Sequence, residues 1–350
     1  MKIPLLPHCT PIGIDISRRS IKAAQLRRTS SGWQVKAAAV LPRREPGAAV
    51  DPEESRWILA TLSRQGFSGA RATLAAPSEK IMTGLVELPP AGTGAPFDQM
   101  VRMEFARVHR RDPESFELVC WPLPQSPARK TKSHLYAAAY GHADADELLD
   151  TLAQGGLSVE AVDTRSRALA RACAPVLFDD SRISGILEVA WDRADLIILY
   201  GGVIVYERVL PDAGMCALSR PLSGLLGIDE DTLNVLLADP DLGGNTAEAR
   251  SGLYESARGI ISQYYASLAG ELHAPFSYVA QQYPDSPAGN LLLAGDGASM
   301  RGLPEHLARA LAMEVRVVSL TDLAECPRFL LARCSTGALT TAFGLAKFGK

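Results

Sequence analysis

The stretch from Pro11 to Leu26, "PIGIDISRRSIKAAQL", constrains this chain more than any other. A short apolar run ends on Asp15, a turn follows at Ser17-Arg18-Arg19-Ser20, and a second apolar run carries Lys22. Short apolar runs separated by turn residues predict a β-hairpin. A third strand follows at "WQVKAAAVLP", after a turn signal at Ser30-Ser31-Gly32. Asp51-Pro52-Glu53-Glu54 then reads as a helix start, with Asp51 as N-cap, Pro52 at the first helical position and acids in the first turn. Trp57, Leu59 and Leu62 give that helix its apolar face, Gly66 ends it, and "ARATLAAP" forms the next strand. The order is β-β-β-α-β, ending at Pro77.

A three-strand opening recurs after Ser184, in "SGILEVAWDRADLIILYGGVIVYERVLP", with turns at Asp192-Arg193 and Gly201-Gly202. Helices are expected at Met215–Leu226, Asp229–Ala238 and Ala247 to about Leu272. "NLLLAGDGASMRGLPEHLARALAMEVRVVS" reads as strand, Gly-rich loop, helix, strand, and "TGALTTAFGLAKF" as a final helix. The two halves are not visibly alike in sequence, so the duplication is one of fold. Between them, residues 78–163 read as β-α-β-β-α-β, with loops at Pro89–Gly94 and "QSPARKTKS". The expected organisation is a first subdomain over 1–77, completed by a C-terminal helix at about 336–350. An inserted α+β domain covers 78–163, and a second half covers 164–335. The fold class is α/β.

Composition supports this without staples. The chain has 350 residues, 47% hydrophobic and 21% charged, ordinary for a packed protein of roughly two domains. A net charge of -3 gives no global drive toward nucleic acid. The 6 cysteines show no CxxC pair and the 6 histidines no HExxH cluster, so neither a zinc nor a redox site is expected. The start "MKIPLLPHCTP" is too broken by prolines for a signal-peptide core. No stretch approaches the ~18 apolar residues of a membrane span. The expected location is cytoplasmic.

Two segments carry a family resemblance. "IGIDISRRSIKAAQL" resembles the opening of PilM-type type IV pilus assembly proteins, which usually read IGIDIGxxxVKxxEL. "LLLAGDGASMRGLPEHLARALAMEVRV" resembles their C-terminal strand, GGG-type loop and GL-bearing helix. "DQMVRMEFARVHRRDPESFELVCWPL" sits where that family has its inserted domain. "LSVEAVDTRSRALARA" and "GALTTAFGLAK" resemble its exit segment and final helix. The resemblance spans nearly the whole chain, in order. It implies duplicated actin/Hsp70-like (ribonuclease H-like) domains, similar to the cell-division protein FtsA. It also implies ATP, with Mg, in the cleft between halves. The implied partners are the N-terminal cytoplasmic tail of a PilN-like inner-membrane protein and other pilus or secretion platform proteins. The protein would then sit at the inner membrane only through those partners.

The nucleotide positions match that family unevenly. In the first hairpin Asp15 and Lys22 match, but Ser17 stands for the usual Gly, and Arg18, Arg19 and Ser20 fill a turn that is normally small. Either an arginine adds phosphate contacts, or two bulky side chains cap an ordinary turn. In the second hairpin Glu188 replaces Asp, Ala190 replaces Gly, and Asp195 stands at the Thr-like position, with Trp191 and Asp192 at the turn. A carboxylate near a γ-phosphate is repulsive without an intervening cation. Gly295, Asp296 and Gly297 preserve the Gly-rich loop, which is either an adenosine platform or a tight strand-to-helix turn. The reading is a scaffold with a degenerate nucleotide site and no catalytic or metal residues. The alternatives are an active ATPase of the same machinery and an actin-fold sugar or acetate kinase. The resemblance further places a partner-tail groove beside the insert. Its expected residues are Met82, Leu85 and Leu88, with Phe105 and Val108 as floor and Arg102, Arg107 and Arg110 as rim.

Overall fold

The structure is a computed structural model and describes residues 9–89, 96–126, 133–177, 181–230, 232–233, 237 and 252–350. Three strands open it: β1 (Ile12–Ile16), β2 (Ser20–Thr29) and β3 (Gly32–Pro42). Helix α1 (Pro52–Arg64) starts as its sequence predicts, with Asp51 accepting the Glu54 N–H at 2.7 Å. β4 (Arg71–Ala75) then lies parallel to β1. The insert follows: β5 (Ile81–Leu88), α2 (Phe97–His109), β6 (Phe116–Pro122) and β7 (Ser133–Gly141). These strands form their own sheet in the order β5-β7-β6.

Helix α3 (His142–Gln154) and β8 (Ser158–Asp163) differ from the expected boundary at residue 163. β8 pairs in parallel with β4, so the first sheet runs β3-β2-β1-β4-β8. α3 packs on α1: Leu152 joins Ile58 and Leu62 in one core, and the Ser55 hydroxyl donates to the Leu152 carbonyl at 3.1 Å. The three-stranded sheet and α2 share a core of their own, whereas α3 and β8 pack with the first sheet. Apolar alternation reveals that a strand exists but not which sheet receives it.

Helix α4 (Arg165–Cys173) leads to the second half. This half contains β9 (Ile183–Val189), β10 (Ala194–Tyr200), β11 (Val203–Leu210), α5 (Met215–Leu226), α6 (Gly252–Gln282), β12 (Ala288–Ala294), α7 (Leu303–Leu311) and β13 (Glu314–Val317). Its sheet runs β11-β10-β9-β12-β13. In each large sheet the three opening strands are antiparallel neighbours and two later strands add in parallel, which is the expected duplication. The helix expected at Asp229–Ala238 and the start expected at Ala247 lie largely outside the described residues. So do most of the loops at Pro89–Gly94 and Gln125–Ser133.

Three short helices close the chain: α8 (Leu320–Leu323), α9 (Leu331–Cys334) and α10 (Thr340–Ala346). α10 and α4 fill the seam between the sheets. There Leu26 and Val35 of the first sheet meet Leu169, Phe343, Ile186 and Leu292 in one buried cluster. Burying each such side chain contributes about 1.5–3 kcal/mol. Two glycines allow the approach. A Cβ on Gly13 would lie 2.0 Å from the Ala342 carbonyl oxygen, and one on Gly344 would lie 1.9 Å from that of Ala168. The final helix thus rests on β1. The seam aligns the β1–β2 and β9–β10 turns at one cleft.

Candidate functional site at the cleft between the halves

The two hairpins carry matched cross-strand pairs. Asp15 faces Lys22 across β1 and β2, and Glu188 faces Asp195 across β9 and β10. Asp15, Lys22 and Glu188 are all buried. The first turn closes on itself: the Ser17 N–H and hydroxyl both reach the Ser20 carbonyl at 2.9 Å, and the two serine hydroxyls lie 3.1 Å apart. Its outer carbonyls are also used. Arg43 N–H donates to the Arg19 carbonyl and Gly47 N–H to that of Arg18. The turn's Ser17 amide and hydroxyl thus find their partner within the turn itself.

Cations from this chain fill the space around the carboxylates. Arg165 donates to one oxygen of Asp15 through Nε at 2.9 Å and also through Nη2. It also donates to the Ile16 carbonyl at 2.9 Å and to the Ser78 hydroxyl at 3.1 Å. Arg193 reaches the same Ser78 hydroxyl at 2.8 Å and holds Asp195 at 3.1 Å. Lys22 Nζ meets Asp296 at 2.8 Å. Burial pushes the Asp15 carboxyl upward, but the charges of Arg165 and Lys22 outweigh it and hold the group below its usual range. Glu188 goes the other way. Burial, reinforced by the Asp15 charge, pushes it up to about 7, against the opposing pull of Lys22 and Arg165. The Thr341 hydroxyl donates to it at 2.6 Å.

The second turn is also internally satisfied. Ala190 N–H donates to the Arg193 carbonyl at 2.9 Å. The first amides of α5 go to this turn, Met215 N–H to the Ala190 carbonyl and Cys216 N–H to that of Trp191. Helix-start amides often hold anions, but here carbonyls occupy them. Arg19 crosses the cleft, its guanidinium 3.9 Å above the Trp191 ring and 3.5 Å from Glu230.

The Gly-rich loop needs its glycines for packing, as the tight strand-to-helix turn among the two expected readings would require. Gly295 has φ 85°, and a Cβ there would stand 2.5 Å from the Val189 carbonyl oxygen. A Cβ on Gly297 would stand 2.4 Å from Val189 Cγ1. The loop is pressed onto β9, and its Asp296 serves Lys22.

A cavity of about 490 Å³ lies beside Asp15, bounded by both hairpins, α3 and the end of β7. Arg18, Ala190 and Asp192 reach it. Six cationic and six acidic side chains line it, so it has no net pull on a polyphosphate. ATP with Mg fits these residues poorly. The carboxylate that would organise the cation is held by Arg165, and the turn amides at Ser17 and Ala190 already have partners. Among the described residues no cluster of three or more His, Cys, Asp or Glu could hold a metal.

The expected partner residues do not form one groove. Phe105 and Leu88 are buried in the insert's own core, and Met82 packs against it. Leu85 lies on the opposite face of β5 from Val86 and Leu88 and is exposed, as Val108 is on α2. Arg102 clamps the start of β6, donating to the carbonyls of Pro113 at 3.0 Å and Phe116 at 2.7 Å. Arg107 is exposed and paired with Glu104, and Arg110 caps α2 in a left-handed conformation. An amphipathic helix shows its apolar face in sequence, but not that the face is already covered.

Arg165, Arg193, Ser78 and Thr341 were not readable as site residues. One signal existed for Arg165. It opens α4 directly after the N-cap Thr164, where a cation opposes the helix dipole and needs a local anion.

The profile of a family described as "Type IV pilus assembly protein PilM" matches residues 13–347. A solved structure, "PilM-PilN type IV pilus biogenesis complex", aligns with TM-score 0.74 and 18% identity, over 96% of this chain and 97% of the other. Ethanolamine utilization protein EutJ from Carboxydothermus hydrogenoformans aligns with TM-score 0.56 and 16% identity, over 99% and 92% of the two chains. At such identities these structures establish the duplicated actin-like fold. No curated protein matches this sequence. Because the family profile spans nearly the entire chain, the protein belongs to the type IV pilus assembly PilM family.

Proposed function

We propose that this protein is a non-catalytic adaptor of a type IV pilus or related secretion platform. It binds the N-terminal cytoplasmic tail of a PilN-like inner-membrane protein, sits at the inner membrane through that partner, and has a degenerate nucleotide site. One observation carries the last point: Arg165 closes on Asp15 with two donors while Lys22 is spent on Asp296. Family membership and the fold shared with the solved PilM-PilN complex support the partner assignment.

The cavity of about 490 Å³ beside Asp15 favours a second reading, an ATP-binding form of the same machine. Two titrations decide. Calorimetry with ATP-Mg gives no heat of binding if the site is degenerate, and saturable binding supports the second reading. Anisotropy of a labelled PilN-like N-terminal peptide tests the partner. Binding that is equal with and without ATP-Mg fits the adaptor, and no binding refutes the partner assignment.

A further inference from the structure

We infer that the cleft is a self-latched hinge, in which this chain's own cations bridge the two hairpins and thereby fix the root of the insert. This deepens the degenerate-site reading and rests on it. Hinged proteins commonly close around a ligand whose contacts to both sides hold them shut. Here the contacts to both sides are internal and continuous. Asp15 on β1 is bound by Arg165 on α4, which donates to Ser78. Ser78, just before β5, also receives Arg193 from the β9–β10 turn, and Arg193 holds Asp195 on β10. One hydroxyl thus joins the first sheet, the insert and the second sheet.

Two more links cross the cleft independently. Arg19 stacks on Trp191 and approaches Glu230, and buried Lys22 reaches Asp296. Apart from Arg193–Asp195, which is internal to the second hairpin, each link pairs an element of one half with one of the other or with the insert root. Opening the cleft would therefore break a cation–π contact, a buried ion pair and the Ser78 bridge together. A cluster that breaks as a unit makes a two-position device. Insert orientation and cleft state then change together, because Ser78 belongs to both. Arg19 and Arg193 are the less buried of the bridging cations, and neither is the partner of Asp15 in its ion pair, so weakening them leaves the buried Asp15–Arg165 pair in place.

Hydrogen exchange of the full chain tests this at the β1–β2 and β9–β10 hairpins and at β5. In the wild-type protein, exchange at both hairpins is expected to be unchanged by millimolar ATP-Mg. In the Arg19→Ala/Arg193→Gln variant it should rise about tenfold at both hairpins and at the start of β5, with α1 and α7 unaffected. Ser78→Ala should raise exchange at β5 and the β9–β10 turn together. Unchanged exchange in both variants overturns the latch while leaving the degenerate site standing. Protection of the wild-type hairpins by ATP-Mg overturns the degenerate-site reading, and the latch with it.

Discussion

Lys22 on β2 and Asp296 at the end of β12 meet at 2.8 Å, and their exposures are unequal: the lysine side chain is 2% exposed and the aspartate 32%. Burial lowers the affinity of Lys22 for its proton, but Asp296, Asp15 and Glu188 more than restore it, so the ammonium stays charged. The pair therefore joins a fully desolvated cation to an anion that water still reaches.

Removing either partner should have unequal effects. Asp296→Ala leaves Lys22 with Asp15 and Glu188, which still balance its charge, and should cost about 1–3 kcal/mol. Lys22→Met withdraws the cation shared by Asp296, Asp15 and Glu188, leaves the last two buried with less compensation, and should cost about 3–5 kcal/mol. Urea denaturation of both variants checks the order, and a larger loss in Asp296→Ala would show that this one ion pair, not the shared charge, is the main support.

ATP turnover should be at background. The γ-phosphate side of the cleft offers Glu188 and Asp195, and the one carboxylate suited to organise a cation is held by Arg165. Asp15→Asn should leave phosphate release unchanged in a coupled assay. Mg-dependent turnover that disappears in Asp15→Asn would contradict this.

The sequence revealed the hairpins because strand alternation, turn residues and the Asp51 cap are local signals. Asp15, Lys22 and Glu188 lie at the cleft, with Ser17 and Ala190 at its turns, and each was visible in its local hairpin pattern. The sequence did not reveal Arg165 or Arg193. Their partners lie 150 positions away in one case and in the insert root in the other, and nothing local encodes such pairings. The same limit grouped residues 158–163 with the insert, though β8 pairs with β4, and set Phe105 in a groove. The glycines of the 295–297 loop were visible, yet what presses on them, Val189, was not.

Glu188 should make stability depend on pH near neutrality. Its folded pKa of about 7 lies above the ordinary value of 4.5. Within that window the folded state keeps a proton that the unfolded chain releases, so stability falls as pH rises through it. Asp15 has the opposite sign: its folded value is lowered, and its contribution is lost only as pH falls below the ordinary value of 3.8. Glu188→Gln should therefore flatten the stability change between about pH 5 and about pH 8. An equally steep change in the variant would assign the slope to another group.

Gly297→Ala should destabilise by overpacking. The new methyl would lie 2.4 Å from Val189 Cγ1, 2.9 Å from its Cβ and 3.1 Å from Met215 Cγ. The cost should be about 1–3 kcal/mol, and Val189→Ala in the same chain should recover part of it. A neutral Gly297→Ala, measured by thermal unfolding, would show the loop is free to move and could serve a ligand.

The partner surface on the insert can be tested by separating its two faces. On α2, Met103 and Val108 are 54% and 55% exposed, with Arg107 beside them and Arg110 at the helix end. Leu85 is 38% exposed on the opposite face of β5. Phe105→Ala is uninformative, since it empties the insert's core and should cost about 3–5 kcal/mol. Charge reversal is cleaner. Arg107 gives up only an exposed pair with Glu104, and such pairs contribute little to stability, so Arg107→Glu/Arg110→Glu should fold normally. If an acidic partner tail lies along α2, this double variant should weaken its binding about tenfold in fluorescence anisotropy, with circular dichroism unchanged. Leu85→Glu should then have no effect, because it points away from α2. The reverse pattern, loss in Leu85→Glu and none in the double reversal, would move the site to the face that the insert turns toward the second half.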